Sequence, residues 1–242
     1  MDLMTIASIG MQNDLLRLEG ISQNLANVLT PGYKRQVTTG ASFQVQLNSA
    51  LGQPPALSGT STKTAHVSID TSMGVLKYTG SKQDAAIQGD SFFEVVSPNG
   101  LAYTRQSSMH VDVSGRLVTS AGLHVMGVGG EITLTGAPFS IAANGDVQQG
   151  ERIAGRLKRV KFENASDLVP LGNGLYDAGS AKMLDKQSAE PLRVGFQENS
   201  NVSSPQEMVR LTETVRHFES LQKIVQGYDD SLEKVIRKLG EF

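Results

Sequence analysis

The sequence predicts an α+β protein in which long terminal helices, coiled-coil-like in their patterning, flank a mainly antiparallel β domain. Three observations predict it. Apolar residues recur at heptad spacing at both chain ends, the middle alternates apolar and polar residues with period two, and paired turn residues punctuate that middle with no helix-and-strand repeat that would indicate a parallel sheet. The expected division is a discontinuous helical domain (1–35 and 198–242), an irregular connector (36–79) and a β-rich insert (80–197).

The first element is a helix from about Leu3 to Asn27. Met4, Met11, Leu18 and Leu25 are spaced by seven, with Ala7, Ile21 and Val28 in a second row where only Asp14 is out of place. Pro31 disfavours helical geometry at Thr30, and Gly32 permits a left-handed turn, so the helix ends just before them. Asn24 and Asn27 lie one turn apart on one face. They are either solvated residues near a helix end or amides that fix the register of packed helices.

From Gln36 to Thr79 the chain is rich in Ser, Thr, Gly and Gln, contains Pro54 and Pro55, and has no sustained period, as an extended connector would. Between about Ser81 and Ala178 the period becomes two. Met109, Val111 and Val113 alternate with His110 and Asp112, and Ile132 and Leu134 alternate with threonines. Turns are expected at Asn99 and Gly100, Ser114 and Gly115, Gly129 and Gly130, and Asn144 and Gly145.

The last element is a helix from about Pro205 to Leu239. Leu211, Phe218, Val225, Leu232 and Leu239 repeat every seven residues, with Met208, Val215 and Ile236 in the companion row and Gln222 and Asp229 interrupting it. Ser204 suits the cap, Pro205 the first helical position, and Glu207 the reciprocal carboxylate of a capping box. At 1.5 Å per residue this helix is about 50 Å long, against about 40 Å for a compact domain of about 160 residues. Leu221, Ile224, Tyr228 and Val235 widen its apolar face beyond what one partner helix covers.

The totals exclude several classes of function. With 22 basic and 24 acidic residues the net charge is −2, which gives no electrostatic case for nucleic acid or an anionic membrane. Without cysteine there is no thiol nucleophile or disulfide framework. No apolar run reaches the length of a membrane span, and the amino terminus lacks the pattern of a cleavable signal peptide.

Chemistry-bearing constellations are missing as well. His66, His110, His124 and His217 have no metal-ligand spacing, so no metal site is assigned. Gly127, Gly129 and Gly130 precede no helix and suit a tight turn instead of a phosphate loop. Asp229 and Asp230 point to different sides of a helix and cannot converge as an acid and base pair. Arg152, Arg156, Lys158, Arg159 and Lys161 gather with only Phe162 nearby, which suits a solvated or edge strand better than a nucleic-acid surface. No catalytic residue, metal ligand or cofactor-binding residue is assigned, and no enzyme activity or cofactor is expected.

The run from Ile21 to Arg35, ISQNLANVLTPGYKR, closely resembles the amino-terminal signature of the bacterial flagellar rod and hook proteins. The run from Gly195 to Ser220, GFQENSNVSSPQEMVRLTETVRHFES, resembles the second signature of that family, with Glu198, Ser200, Asn201, Val202, Glu207, Met208, Arg216, Phe218 and Glu219 at matching positions. AIQGDSFFEV from Ala86 and AYTRQSSMHVDVSGRLV from Ala102 resemble its β-rich insert more loosely. Leu29, Ser107 and Met109 depart from residues usual in the family.

The resemblance implies a structural subunit of the flagellar basal-body rod, the axial drive shaft between motor and hook. By length it suits the proximal member with a β insert better than the longer distal one. It also implies export through the flagellum-specific type III apparatus, and as partners copies of the chain, other rod proteins and that apparatus. Subunit contacts are expected at Leu18, Ile21, Leu25, Met208, Leu211, Val215, Phe218, Val225 and Leu232, with Asn24 and Asn27 setting register. The apolar stripes are expected to find their cover on other molecules, so the helices order on assembly. The alternatives are a distal rod or hook-type sibling, a self-contained periplasmic binding module whose two helices pair within one chain, and a peptidoglycan-acting enzyme.

Overall fold

The computed structural model describes residues 3–39, 66–136, 138–185 and 187–240, with the backbone alone at 3, 39, 239 and 240. It is α+β. Two compact units divide the described residues: one holds 3–25, 37–39, 66–67 and 204–240, the other Ala26–Gln36 and Ser68–Ser203.

The first unit is built on two helices. The helix α1, Leu3–Ala26, ends one residue before the expected limit, and α2, Ser204–Gly240, runs 37 residues as its unbroken heptad pattern requires. They are antiparallel. Asn24 near the end of α1 donates to Glu207 near the start of α2, while Asp14 in mid α1 meets His217 further along α2. Ile6, Ala7 and Ile21 of α1 and Leu221 of α2 are buried. The expectation that the stripes depend wholly on other molecules for cover therefore needs correcting, because part of each helix is covered within the single chain. The backbone of Leu239 continues α2, but its side chain lies outside the described residues.

Short antiparallel strands make up most of the second unit. Its largest sheet runs, in spatial order, β15 (Val169–Gly172), β16 (Leu175–Asp177), β6 (Gly100–Thr104), β5 (Phe92–Ser97), β9 (His124–Gly127), β8 (Leu117–Thr119) and β7 (Met109–Val111). β10 (Gly130–Glu131) pairs with β9, and β14 (Arg159–Phe162) joins both β5 and β17 (Met183–Asp185). β11 (Ser140–Ile141), β12 (Asp146–Gln149) and β13 (Arg152–Arg156) form a separate three-stranded meander. Two ladders bring the carboxyl side of this unit back to its start: β18 (Leu192–Val194) pairs with β4 (Ala85–Ile87), and β19 (Phe196–Glu198) with β3 (Leu76–Tyr78).

All four expected turns join consecutive antiparallel strands, β5 to β6, β7 to β8, β9 to β10 and β11 to β12, with Gly100 and Gly130 opening the second strand of their pairs. Gly130 and Gly145 have φ of +115° and +91°, the left-handed region that glycine enters without a Cβ penalty. The alternation is less complete than its period suggests. Met109 is buried, but β7 stops at Val111, and Val113 is fully exposed in the turn closed by the Asp112 carboxylate on the backbone of Ser114 and Arg116. Ile132 and Leu134 are both buried. In the stretch read as a connector, β1 (Gln36–Thr39), β2 (His66–Ile69) and β3 are short strands, and residues 40–65 lie outside the described residues.

Two apolar clusters hold the second unit. One gathers Phe93, Val95, Leu117, Val125, Ile141, Val147 and Leu157 with their neighbours. The other is aromatic: Phe92, Tyr103, Phe162 and Tyr176 meet edge to face, with centroids 4.9 to 6.1 Å apart.

Candidate functional site

Of the eleven residues expected at subunit contacts, all but Asn27 belong to the helical unit, and they fall into three groups. Ile21, Asn24 and Asn27 are buried; Leu18, Leu25, Leu211, Phe218 and Val225 are half-buried; Met208, Val215 and Leu232 are exposed. Val209, Ile224, Val235 and Ile236 are also exposed, so apolar side chains stand open along most of α2. The carboxyl end is the barest stretch, since every described side chain from Asp229 to Lys238 is exposed.

The polar residues on these helices have specific partners. Asn24, only 1% exposed, donates from Nδ2 to Glu207 Oε2 at 3.1 Å, which overturns the solvated reading. Glu207 is buried and also accepts from Arg210 at 3.1 Å, so its carboxylate bridges to α1. Asp14, the one residue out of place in the heptad row, is 1% exposed; its Oδ2 lies 2.5 Å from His217 Nδ1 and its Oδ1 3.5 Å from Arg17. A carboxylate only accepts, so Nδ1 of His217 carries the shared hydrogen. Asn27 acts locally in the second unit, where its Oδ1 accepts from the Thr30 hydroxyl in the turn that follows α1.

A buried ion cluster lies within the second unit. Glu198 at the end of β19 is 1% exposed and accepts from Lys34 Nζ at 2.7 Å, from Arg105 Nε at 2.9 Å and from the Gly74 amide at 2.9 Å. Arg105 spends its remaining donors on the carbonyls of Ile87, Gly89 and Ser91, and Lys34 on that of Ser72. Around it, Gly32 donates to the Glu198 carbonyl, Lys34 N to the Tyr176 hydroxyl and Arg35 N to Asn201 Oδ1. Burial pushes the Glu198 carboxyl up, but the charges of Arg105 and Lys34 and the bonds it accepts outweigh this and hold it below the ordinary carboxylate value. Burial and the Arg105 charge together hold Lys34 below the ordinary lysine value, against the pull of Glu198.

Gly32 has φ +72°, as the expected left-handed turn requires, and a Cβ there would stand 2.5 Å from the Arg105 carbonyl carbon. Lys34, Arg105 and Glu198 belong to three of the four runs that carry the family resemblance, yet no spacing rule joins positions so far apart. The adjacent basic pair Lys34 and Arg35 and the isolated Arg105 carry no local sign that a carboxylate at position 198 meets them.

Elsewhere the ionisable groups are tied to structure. Lys158 pairs with Glu94, Lys161 with Glu190, and Arg156 with Asp146, while Arg159 is buried against the carbonyls of Glu190 and Asn144. The basic cluster is thus largely neutralised by its own carboxylates. His110 and His124 lie on separate strands, and no group of three or more metal-ligating side chains occurs among the described residues.

Comparisons with known proteins match two separate stretches of the chain to family models. The model for the flagellar hook protein FlgE/F/G D1 domain matches residues 86–149, and that for the flagellar basal body rod FlgEFG protein C-terminal matches residues 193–238. Over the longer span, the flagellar basal-body rod protein FlgG of Bacillus subtilis is 31% identical over 252 residues, covering 94% of this chain and 95% of its own. The chain belongs to the flagellar basal-body rod protein family. The FlgF rod proteins of Rhizobium meliloti and Mesorhizobium japonicum are 31% and 29% identical, each covering 93% of this chain and 92% of its own length.

As a member of that family the chain is a structural rod subunit of the flagellar basal body, and the self-contained binding module is not favoured. No helix among the described residues is long and apolar enough to cross a membrane.

Proposed function

We propose that this chain is the shorter of the rod siblings and polymerises through its terminal helices, with copies of itself and with other rod proteins, into a shaft that transmits torque by packing alone. In this reading it has no catalytic role and needs no cofactor, and it reaches the rod through the flagellar export apparatus. Residues 1–35 and 198–242 form the axial, coiled-coil-like domain, 36–79 the connector and 80–197 the insert. The observation that carries the reading is the open apolar series on α2, Met208, Val209, Val215, Ile224, Leu232, Val235 and Ile236, which the chain leaves uncovered.

The sibling assignment rests on alignment length. Since 94% of 242 residues is about 227, about 25 of the 252 positions aligned with the Bacillus FlgG are residues this chain lacks. The same reckoning for the Mesorhizobium FlgF, 93% of 242 against 228 positions, leaves about 3.

Leu232→Asp combined with Val235→Asp tests the contact. Both side chains are exposed, so the isolated subunit keeps its helix content by circular dichroism, each change costing at most about 0.5 kcal/mol. The cells stop swimming, and electron microscopy shows basal bodies with incomplete rods. Motile cells with complete rods would show that this end of α2 is not a subunit contact.

A further inference from the structure

The helix pair in the first unit poses a problem that its apolar residues do not solve. Both helices carry heptad repeats, so sliding one along the other by seven residues, about 10 Å, brings equivalent apolar positions back into apposition. A seam of this kind specifies that the helices pair but not where.

Two polar contacts remove the ambiguity. Asn24 meets Glu207 and Asp14 meets His217, so in both cases the residue numbers of the two partners add to 231. The contacts are ten residues apart on each helix, about 15 Å, and agree on one antiparallel register. Sliding α2 by seven in one direction would set Asp14 against Ile224 and Asn24 against Thr214, leaving a buried carboxylate facing an apolar side chain. Sliding it the other way would set Asp14 against Arg210, a possible partner, but Asn24 against Ser200, which precedes α2. Neither alternative satisfies both buried groups.

We propose that Asp14 and Asn24 are the register pins of this helix pair, selecting one alignment from a heptad-degenerate seam through His217 and Glu207. Asp14 breaks the apolar row of α1 because a leucine there would stabilise every register alike. A buried polar group stabilises only the register that satisfies it. This concerns the single chain and does not depend on how subunits pack in a rod.

The chain has no cysteine, so Gln12→Cys with Lys234→Cys, both positions exposed and well offset along the helix axis, gives a clean pair of spin-label sites in the full chain. Pulsed electron-electron resonance on this background yields one distance. With Asp14→Leu and Asn24→Leu added, a second population shifted by about 10 Å appears. The exchanged pair Asp14→His with His217→Asp, which keeps a partner only in the original register, retains the single distance. A single unshifted distance in the double leucine variant overturns the proposal, because the register is then set by the rest of the chain. Loss of any defined distance in that variant overturns it too, since the polar pairs would then be needed for pairing itself, and so does a shifted population in the exchanged variant.

Discussion

At the scale of single residues, the ion cluster in the second unit shows how costly a buried charge becomes once its partner is gone. Glu198 neutralises two buried cations, so Glu198→Ala leaves Lys34 and Arg105 without a counter-charge in a site sealed from water. Breaking such a pair costs about 3–5 kcal/mol, a large part of a typical domain stability of about 5–15 kcal/mol. Urea unfolding of the full chain followed by tyrosine fluorescence will show the midpoint fall accordingly. The same carboxylates set an acid limit. Burial raises Glu190, but Lys161 and Ser91 bond its charged form and bring it down to about 2 from 4.5. A carboxyl depressed in the folded state binds fewer protons there than when unfolded, so its contribution is complete above the unfolded value and disappears as pH falls through the folded one. Glu190 therefore makes the melting temperature fall between about pH 4.5 and 2, Glu198 acts in the same direction, and Glu190→Gln flattens that decline in scanning calorimetry. Of these residues the sequence showed only the charges. Which charge meets which depended on the chain path that brings residues 34, 105 and 198 together.

At the scale of elements, the helices were legible because their signals are local and repeated. The limits of α1 followed from Pro31 and Gly32, and those of α2 from Ser204, Pro205 and a heptad row without proline. The turn after α1 is equally demanding. Gly32→Ala places a side chain in left-handed backbone against the carbonyl group of Arg105, and should cost at least about 1–3 kcal/mol in urea unfolding. Leu221, 2% exposed, is the apolar anchor of α2 within its own unit, and Leu221→Ala removes about 2–5 kcal/mol. The loss should register as earlier melting of the helical signal in far-ultraviolet circular dichroism, ahead of the β unit, where Leu221 does not belong. Short strands were harder to read. The Met109 to Val113 alternation overran β7 because Asp112 closes a turn there, and Ile132 and Leu134 are both buried beside a single bridge at Thr133. Two or three residues of alternation carry too little pattern to mark where a ladder stops.

At the scale of the whole molecule, the sequence by itself determined the α+β class, the two terminal helices, the four hairpin turns and the family, because each rests on residues close together in the chain or on long runs of them. It also determined that the ends carry more apolar surface than a single helix pair covers. The tertiary structure decided how that surface is divided. It covers Ile21 and Leu221 within the chain and leaves Leu232, Val235 and Ile236 open. It also turned two apparent blemishes in the patterning, Asp14 and the solvated-looking Asn24, into buried partners of His217 and Glu207. Heptad periodicity is a property of one helix, whereas register is a relation between two. A relation between residues some 180 to 200 positions apart leaves no periodic trace in the chain, so only the folded structure could supply it.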